Sequence, residues 1–370
     1  MKRLLFFVFG FLAFSIVSAQ EKQQANCTQV LRLARAVYEQ GRLHELETLL
    51  DDCLEGEVGT SNGFATTQEK VDAYRLLCLA YIYLEEPIKA DSAMLGLLRT
   101  DHFFEVNTTD PAEFHALYNT FRTEPILSFG FRAGGNLMLP GIMKNYYIAE
   151  ASKGNGKYKP GGNISLGGFV EKEFFPKSRS GFLRNTVLRA EAFYMVRSFK
   201  MDFPEVYTNI TTGNIAGEVE AKSISQWLDV NFILRYRYNN DSPWDPYFGI
   251  GPGVSYLLKY SLNLAKVERL KPDGKTSSAA YSGPSIDASS AFHSLSQSAS
   301  AVWGINRRFG EFYINLEGRF QFGLYNLVDP KNRTFPESLD YGLTLNDYRQ
   351  SNVILVAGIT MPFFKPKKRQ

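Results

Sequence analysis

The stretch WLDVNFILRYR, from Trp227 to Arg237, alternates between apolar and polar side chains. One set of alternate positions is apolar: Leu228, Val230, Phe232, Leu234 and Tyr236. The positions between them are largely polar: Asp229, Asn231, Arg235 and Arg237. Successive side chains of a β-strand point to opposite faces, so the stretch predicts a strand with one apolar face and one charged face.

The same period of two recurs from Pro125 to Phe364 and predicts eight strands. They lie at 126–137, 161–174, 185–200, 223–238, 246–262, 295–307, 311–325 and 350–363. Most exceed the ~10 residues that a tilted membrane strand needs. The connections alternate in length: 138–160, 201–222, 263–294 and 326–349 are long, and 175–184, 239–245 and 308–310 are short. This asymmetry favours an outer-membrane barrel over a soluble β-sandwich.

An even number of strands with a long first connection places both ends of the barrel on the periplasmic side. We therefore expect the protein in the outer membrane, with its N- and C-termini in the periplasm. The 29 Phe and 20 Tyr accompany a mean hydropathy of -0.20, as in barrels whose lipid-facing and lumen-facing residues alternate. The formal net charge of +3 gives no indication of a nucleic-acid partner.

The N-terminus has the pattern of a secretory signal peptide. Lys2 and Arg3 precede an apolar run of 14 residues from Leu4 to Val17, and small residues follow up to Ala19. The run is too short for a bilayer, which needs about 20 helical residues. We expect residues 1–19 to be removed, so that the mature chain begins near Gln20.

Residues 20–107 have helical periodicity and predict two antiparallel helix pairs. Small residues at the expected crossing points make the pairs resemble degenerate tetratricopeptide-like repeats, and the resemblance implies a concave face that binds a protein. Cys27 and Cys53 lie on opposite arms of the first pair, at similar distances from its turn. In an oxidising periplasm they form either a disulfide or two buried thiols.

The segment TTDPAEFHALYNTFRTEP, from Thr108 to Pro125, joins the two regions and predicts a junction helix over 108–124. Asp110 suits an N-cap, and Pro111 suits the first helical position. Apolar side chains form one stripe on this helix: Phe114, Leu117, Tyr118 and Phe121. The stripe either completes the helical core or also docks on the periplasmic rim of the barrel, and we expect it to clasp the two regions together.

The charged faces of the strands should line the barrel. We expect an ionic network of Arg132, Glu171, Arg189, Glu191, Asp229, Arg235, Glu317 and Arg319. Eight strands enclose only enough space for side chains, and unpaired charges in a narrow lumen are costly. The two signs should therefore pair and seal the lumen, which disfavours a pore.

The sequence offers little for catalysis. His293, followed by Ser294, is the candidate for a lipid hydrolase at the outer rim, but serines are frequent in this segment. No metal cluster, phosphate loop or dinucleotide fingerprint is present in the sequence. We expect neither an enzyme nor a cofactor.

The layout resembles the OmpA-like and PorT-like eight-stranded outer-membrane barrels of Bacteroidota. The resemblance is carried by PILSFGFRAGGN (125–136), PYFGIGPGVSY (246–256) and NVILVAGITMPFF (352–364). Many such barrels end on an aromatic residue, whereas Phe364 is followed by KPKKRQ. We expect residues 365–370 to form a solvated basic tail.

These patterns predict an α+β chain of two domains, with N-terminal α-helical hairpins and a C-terminal antiparallel transmembrane β-barrel at 125–364. We expect a non-enzymatic barrel in outer-membrane lipid that anchors a periplasmic protein-binding module. The resemblance implies an envelope complex, of the type IX secretion kind. The alternatives are an adhesin or surface receptor acting through the outer loops, of which 259–285 is the longest candidate, and, less favoured, a lipid hydrolase.

Overall fold

The computed structural model describes residues 27–146, 156–173, 180–208, 215–238, 244–270, 277–339, 341 and 343–369. The expected signal peptide lies outside the described residues. The chain divides into two compact units. The helical unit contains the described residues up to Pro125 and those from Phe364 onward, and the barrel unit is Ile126–Phe363.

The described part of the helical unit contains five helices. They are α1 (27–39), α2 (Leu46–Glu55), α3 (Thr67–Tyr83), α4 (Pro87–Thr100) and α5 (Ala112–Asn119), with a 3-10 turn at Leu43–Glu45. A capping arrangement begins α3: Thr66 Oγ1 accepts a hydrogen bond from Glu69 N at 3.2 Å, and Glu69 Oε2 accepts one from Ala65 N at 3.1 Å. Gly41, at φ 75°, supplies the left-handed turn after α1.

The start of α5 differs from the sequence expectation. Pro111 is the N-cap, not Asp110. The Asp110 carboxylate instead accepts a hydrogen bond from Asn107 N at 2.8 Å and forms an ion pair with Arg75 of α3. Because this carboxylate is occupied by the turn before the helix, it cannot cap α5.

The barrel unit is one antiparallel sheet with nine strands among its described residues. They are β1 (Leu127–Lys144), β2 (Lys157–Glu173), β3 (Thr186–Thr208), β4 (Ile215–Arg237), β5 (Trp244–Leu270), β6 (Ser277–Asp287), β7 (Leu295–Phe309), β8 (Phe312–Gly323) and β9 (Asp347–Phe363). Eight of them close a ring in the order β1-β2-β3-β4-β5-β7-β8-β9, with β9 paired to β1. The prediction of an antiparallel barrel is confirmed.

The sequence expectation was wrong about the ends of several strands. β3 and β4 run well into the predicted loop 201–222, and β5 continues to Leu270 and pairs from Ser261 onward with the additional strand β6. The candidate outer loop 259–285 is therefore largely a β-hairpin, with residues 271–276 outside the described residues. Where the side chains of these segments are described, as at Met201, Val219 and Leu264, the apolar residues face inward, the reverse of the rest of the barrel.

The outer surface of the ring carries a continuous apolar band. Every ring strand contributes exposed large apolar side chains, among them Phe131, Leu166, Tyr194, Leu228, Ile250, Trp303, Leu316 and Leu355. On β4 the outward residues from Ile224 to Tyr236 are apolar except Gln226. At ~3.3 Å per residue and a tilt of about 40°, this stretch is roughly 30 Å tall.

Above this band the polarity of the wall reverses. On β3 and β4 the outward residues become charged: Lys200, Asp202, Glu220 and Lys222. The inward residues at the same level become apolar: Phe199, Met201, Val219 and Ala221. Within the apolar band, β3 and β4 are thus apolar outside and charged inside. Beyond the band, the same two strands are charged outside and apolar inside.

Candidate functional site

The charged lumen of the barrel unit contains a compact ionic layer. The structure brings together seven of the eight residues expected there: Arg132, Arg189, Arg235, Arg319, Glu171, Glu191 and Glu317. Their side chains are at most 6% exposed, because successive inward positions of five different strands converge on one level of the lumen.

Glu317 of β8 is the most shared carboxylate of this layer. Its Oε2 accepts a hydrogen bond from Arg132 Nη1 at 2.8 Å and another from Arg189 Nη1, while its Oε1 accepts one from Arg319 Nη2 at 2.8 Å. The Tyr247 hydroxyl donates to Oε2 at 2.8 Å. Four donors around one carboxylate satisfy a charge that burial would otherwise make costly.

The other two carboxylates extend the layer sideways. Glu171 accepts from Arg189 Nε at 2.6 Å and pairs with Arg235 Nη2 at 2.9 Å. Glu191 pairs with Arg319 Nη2 at 2.5 Å and with Arg189 Nη1 at 3.2 Å. Arg189 therefore contacts all three carboxylates and links the two sides of the lumen.

This layer contains four guanidinium groups and three carboxylates. Its net charge is therefore four minus three, or one positive charge. Aromatic faces lie against the cations: Arg132 Cζ is 4.1 Å from the centroid of Phe169, and Arg235 Cζ is 4.4 Å from that of Tyr247. Such faces attract cations when both are desolvated. Phe169 and Tyr247 were missing from the predicted network, although their inward positions in the alternation could have indicated them.

Asp229, the eighth expected residue, belongs to a separate layer. It pairs with Arg197, and Arg197 Nη1 also donates to Gln350 Oε1 at 2.9 Å. Gln321 connects to both groups, accepting from Arg197 Nη2 at 3.0 Å and donating to Asp229 Oδ2 at 2.9 Å. This layer balances its charge as one cation and one anion.

An apolar cluster fills the lumen beyond the second layer. Trp227, Tyr260 and Tyr348 are at most 2% exposed, and the last connection of the barrel inserts Leu327, Val328, Leu343 and Leu345 among them. The Tyr260 and Tyr348 hydroxyls share a hydrogen bond at 2.6 Å. Ionic and apolar side chains together occupy the lumen along the described strands.

The predicted junction helix residues pack within the helical unit. Phe114 of α5 is fully buried and Phe121 is 2% exposed, and both belong to the core shared with α1 to α4. Leu117 and Tyr118 are half-buried against the same core. The Tyr118 hydroxyl donates to Phe104 O at 2.8 Å. The clasp to the barrel stays a prediction.

The cysteines of the helical unit fall into two classes. Cys27 and Cys53 are joined by a disulfide between α1 and α2. Cys78 of α3 is a free, buried thiol, and its burial raises the pKa of the thiol well above the ordinary range.

The sequence predicts a solvated basic tail, whereas the structure pairs the tail with the rest of the helical unit and leaves Lys365, Lys367 and Lys368 exposed. Lys368 forms an antiparallel bridge with Phe121, Arg122 N donates to Lys367 O at 2.9 Å, and Arg369 N donates to Thr120 O at 2.7 Å. Two side chains add ion pairs that a solvated tail would lack. Arg369 Nη2 donates to both Glu124 carboxylate oxygens at 2.8 Å, and Lys368 pairs with Asp91.

Phe364 fixes the start of the tail on the helical unit. Its ring stacks on His102 at 5.2 Å between centroids and meets Phe103 edge-on at 5.0 Å. Residues 120–122 offered free backbone groups for the tail to pair with, which no local sequence pattern revealed. The sequence expectation failed because a run of lysines normally indicates solvent, and the acidic partners lie far away in the chain.

A cleft of about 320 Å³ opens on the helical unit between α2, α3 and α4. Its floor is formed by Leu54, Tyr74, Leu77, Tyr81 and Ala93. Its α2 wall carries Glu47, Asp51 and Glu55, and Lys89 of α4 faces them and bonds to Glu47 Oε2 at 2.7 Å. Three carboxylates against one ammonium leave an excess of two negative charges, three less one.

Two titrating groups of the cleft are shifted. The hydrogen bond from Lys89 lowers the pKa of Glu47, so this carboxylate stays ionised at neutral pH. Burial, with the nearby Glu47 carboxylate, raises the pKa of Tyr81 to about 12, so its hydroxyl remains a donor. The cleft therefore presents an apolar floor and an acidic wall.

The candidate hydrolase residues, His293 and Ser294, lie side by side before β7. His293 and Ser294 are both exposed, and within the described chain neither side chain forms a hydrogen bond with the other. Within the same residues no group of His, Cys, Asp and Glu could hold a metal ion. No described helix combines the length and apolar character needed to cross a membrane.

Comparison with known proteins returned solved structures only. No protein family matches the chain, and no curated protein matches it. The outer membrane protein OprG from Pseudomonas aeruginosa matches with a TM-score of 0.32 and 11% identity, over 65% of this chain and 98% of that chain. Neisserial surface protein A matches with a TM-score of 0.26 and 11% identity, over 66% of this chain and 97% of that chain.

The outer membrane protease OmpT from Escherichia coli is also similar, with a TM-score of 0.22 and 11% identity over 64% of this chain and 96% of that chain. All three scores lie below 0.5. Likenesses this weak carry no argument about function.

Proposed function

We propose that this protein is an outer-membrane β-barrel with a sealed lumen, which anchors a helical protein-binding module in the periplasm. The observation that carries the proposal is the reversal of polarity along the strands. An apolar outer face about 30 Å tall around a charged lumen suits a lipid bilayer. The charged outer face beyond Ile224, around an apolar interior, suits water. A soluble barrel would keep one polarity along its whole length.

The filled lumen supports an anchor rather than a pore. Its large side chains are almost inaccessible, at most 2% exposed: Arg132, Arg189, Arg197, Arg319 and Trp227. Porins reach an aqueous channel only with 16–18 strands, about twice the number in this ring.

The strand order supports the orientation. Leu127 and Phe363 lie directly opposite each other, so β1 starts and β9 ends at the same rim. The opposite rim carries the extended ends of β3, β4 and β5 and the connection of residues 324–346. Long connections of outer-membrane barrels face outward, so the rim at Leu127 faces the periplasm together with both termini.

The cleft on the helical unit supports a protein partner. An apolar floor beside an excess of two negative charges fits a segment that presents an apolar side chain next to a lysine or arginine. The resemblance to Bacteroidota envelope proteins makes an envelope complex, of the type IX secretion kind, the hypothesis for the source of that segment.

Asp51→Lys in the full-length protein tests the partner, because it reverses one charge of the cleft wall. We expect proteins that copurify with the wild type from its own membranes to be lost. Asp52→Lys is the matched control, since this exposed neighbour does not line the cleft. Equal capture by all three proteins would refute binding through the cleft.

Planar bilayer recording tests the sealed lumen. We expect the reconstituted protein to produce no steps of conductance, while a porin in the same bilayer produces them. Regular steps from the pure protein would mean that the lumen opens.

A surface receptor is the second candidate, favoured by the parts of β3, β4, β5 and β6 that extend beyond the apolar band. They form a folded surface rather than a set of loops. Binding that survives Asp51→Lys and is lost when external protease removes this surface from intact cells would favour the receptor.

A further inference from the structure

Three lysines form a row across the outer surface of the barrel unit. Lys159 on β2 lies directly opposite Lys200 on β3, and Lys200 lies directly opposite Lys222 on β4. All three side chains are exposed. Neighbouring strands lie about 4.8 Å apart, so this lysine row spans about 10 Å.

The lysine row is electrostatically unfavourable by itself, because like charges directly opposite each other destabilise a sheet. Lys159 Nζ pairs with Asp202 Oδ2 at 2.6 Å. Lys200 and Lys222 form no ion pair with any residue in the described part of the chain. The ammonium groups of Lys200 and Lys222 therefore have no ion-pair partner among the described residues.

Carboxylates one step further along the strands neutralise only part of the charge. Asp202 lies opposite Lys157 on β2 and opposite Glu220 on β4. The lysine row and Lys157 together carry four positive charges. Asp202 and Glu220 carry two negative charges, so the patch has a net charge of four minus two, or two positive charges. An anionic ligand with two negative charges would balance the patch.

The lysine row lies at the boundary of the apolar band. On β3, Val196 comes four residues before Lys200, and on β4, Ile224 comes two residues after Lys222. At ~3.3 Å per residue these separations are roughly 7 to 13 Å along the strands, comparable to a layer of lipid headgroups. The row thus lies at headgroup depth if the band lies in lipid.

The row continues into neutral hydrogen-bonding residues. Asn263 on β5 lies opposite Lys222, and Ser285 on β6 lies opposite Asn263. Both are exposed. Five neighbouring strands therefore present three cationic and two neutral polar side chains at one level, which suits a wide, polar and anionic headgroup.

Building on the membrane placement proposed above, we propose that the lysine row binds an outer-leaflet lipid whose sugar headgroup carries two phosphates. The ammonium groups would donate charge-assisted hydrogen bonds to phosphate oxygens. The acyl chains of the same lipid would lie on the apolar band below the row. This second contact favours a lipid over a soluble phosphate, which would gain nothing from the band.

The test uses full-length protein in nanodiscs and lipid A, a glucosamine disaccharide lipid, in its diphosphorylated form as the probe. Lys200→Ser with Lys222→Ser should weaken retention of the probe at least tenfold, from the loss of charge-assisted hydrogen bonds. Lys200→Arg with Lys222→Arg should retain binding within about twofold, since both cations remain. Lys331→Ser with Lys367→Ser removes the same charge from exposed positions outside the row and should have no effect.

Each outcome decides the proposal. Equal retention by the double serine variant and the wild type would overturn it, provided that heat-modifiable mobility shows both barrels folded. If the wild type binds the phosphorylated disaccharide without acyl chains as tightly as it binds lipid A, the lysine row binds soluble anions. That result would also overturn the proposal. Flotation with vesicles tests the membrane placement separately. If the protein floats with vesicles and the double serine variant retains lipid A as the wild type does, only the lipid site is refuted.

Discussion

Glu317 is the residue on which the ionic layer depends most, because three guanidinium groups share its carboxylate. A buried ion network is weak evidence for stability, since well-packed apolar residues often do as well. Removing one member is different, because the remaining charges stay buried without compensation. The layer already carries one positive charge in excess, so loss of a carboxylate raises that excess to two.

Glu317→Gln should therefore lower the free energy of unfolding by about 3–5 kcal/mol. Urea unfolding of the protein refolded in lipid vesicles measures the change. Glu311→Gln is the matched control, since Glu311 is exposed at the β7–β8 turn and its replacement should cost less than about 0.5 kcal/mol. Similar stability of the two variants would contradict the role of the layer.

Cys78 is the second residue with a distinct chemical signature. Burial raises the pKa of its thiol, so the reactive thiolate stays rare even at about pH 8.5, where an ordinary cysteine is half ionised. Iodoacetamide should leave the native protein unlabelled at this pH and label one cysteine after unfolding under non-reducing conditions. Rapid labelling of the native protein would mean that the thiol is accessible.

Among the elements, the tail after β9 has the most specific contacts. It combines backbone pairing at 120–122 with the ion pairs of Lys368 and Arg369 and the ring contacts of Phe364. Residues 364–369 thus complete the helical unit. We infer that its final packing forms only after these residues have been made.

Lys368→Glu with Arg369→Glu should release this tail, because it places like charges against Asp91 and Glu124. Hydrogen exchange at the Arg122 and Arg369 amides should accelerate at least tenfold, as their partners separate. Lys367→Glu is the control, since Lys367 contributes its carbonyl to the pairing but no ion pair with a described residue. Unchanged exchange in the double variant would show that backbone pairing alone holds the tail.

At the scale of the whole molecule, the reversal of polarity divides the barrel into a part suited to lipid and a part suited to water. The boundary lies between Ile224 and Lys222 on β4 and between Val196 and Lys200 on β3. A charge added to the outer face should therefore lower the stability of the barrel by an amount that depends on its distance from this boundary.

Val230→Arg, in the middle of the apolar band, should destabilise the inserted barrel by about 2–4 kcal/mol. Glu220→Arg, beyond the boundary on the same face of β4, should cost at most about 1 kcal/mol. Urea unfolding in lipid vesicles compares the two. Equal costs would contradict the placement of the boundary.

The sequence predicted the antiparallel barrel because alternation is a local signal, as in Leu228 to Tyr236 on β4. It also nominated the inward charges, since these occupy the positions between apolar ones. It did not predict which charges meet: Asp229 pairs with Arg197 in its own layer, and Tyr247 joins Glu317. Such pairings depend on the register between strands, which no single strand encodes.

By itself, then, the sequence determined the period of the ring strands and nominated the charged residues that face inward. Only the tertiary structure decided where the band ends, where strands continue beyond it and where the tail binds. The physical reason is that alternation has the same period whichever face is apolar, so the level of the reversal is defined only when neighbouring strands are in register. Likewise, the tail's acidic partners, Asp91 and Glu124, are brought near Lys368 and Arg369 only by folding.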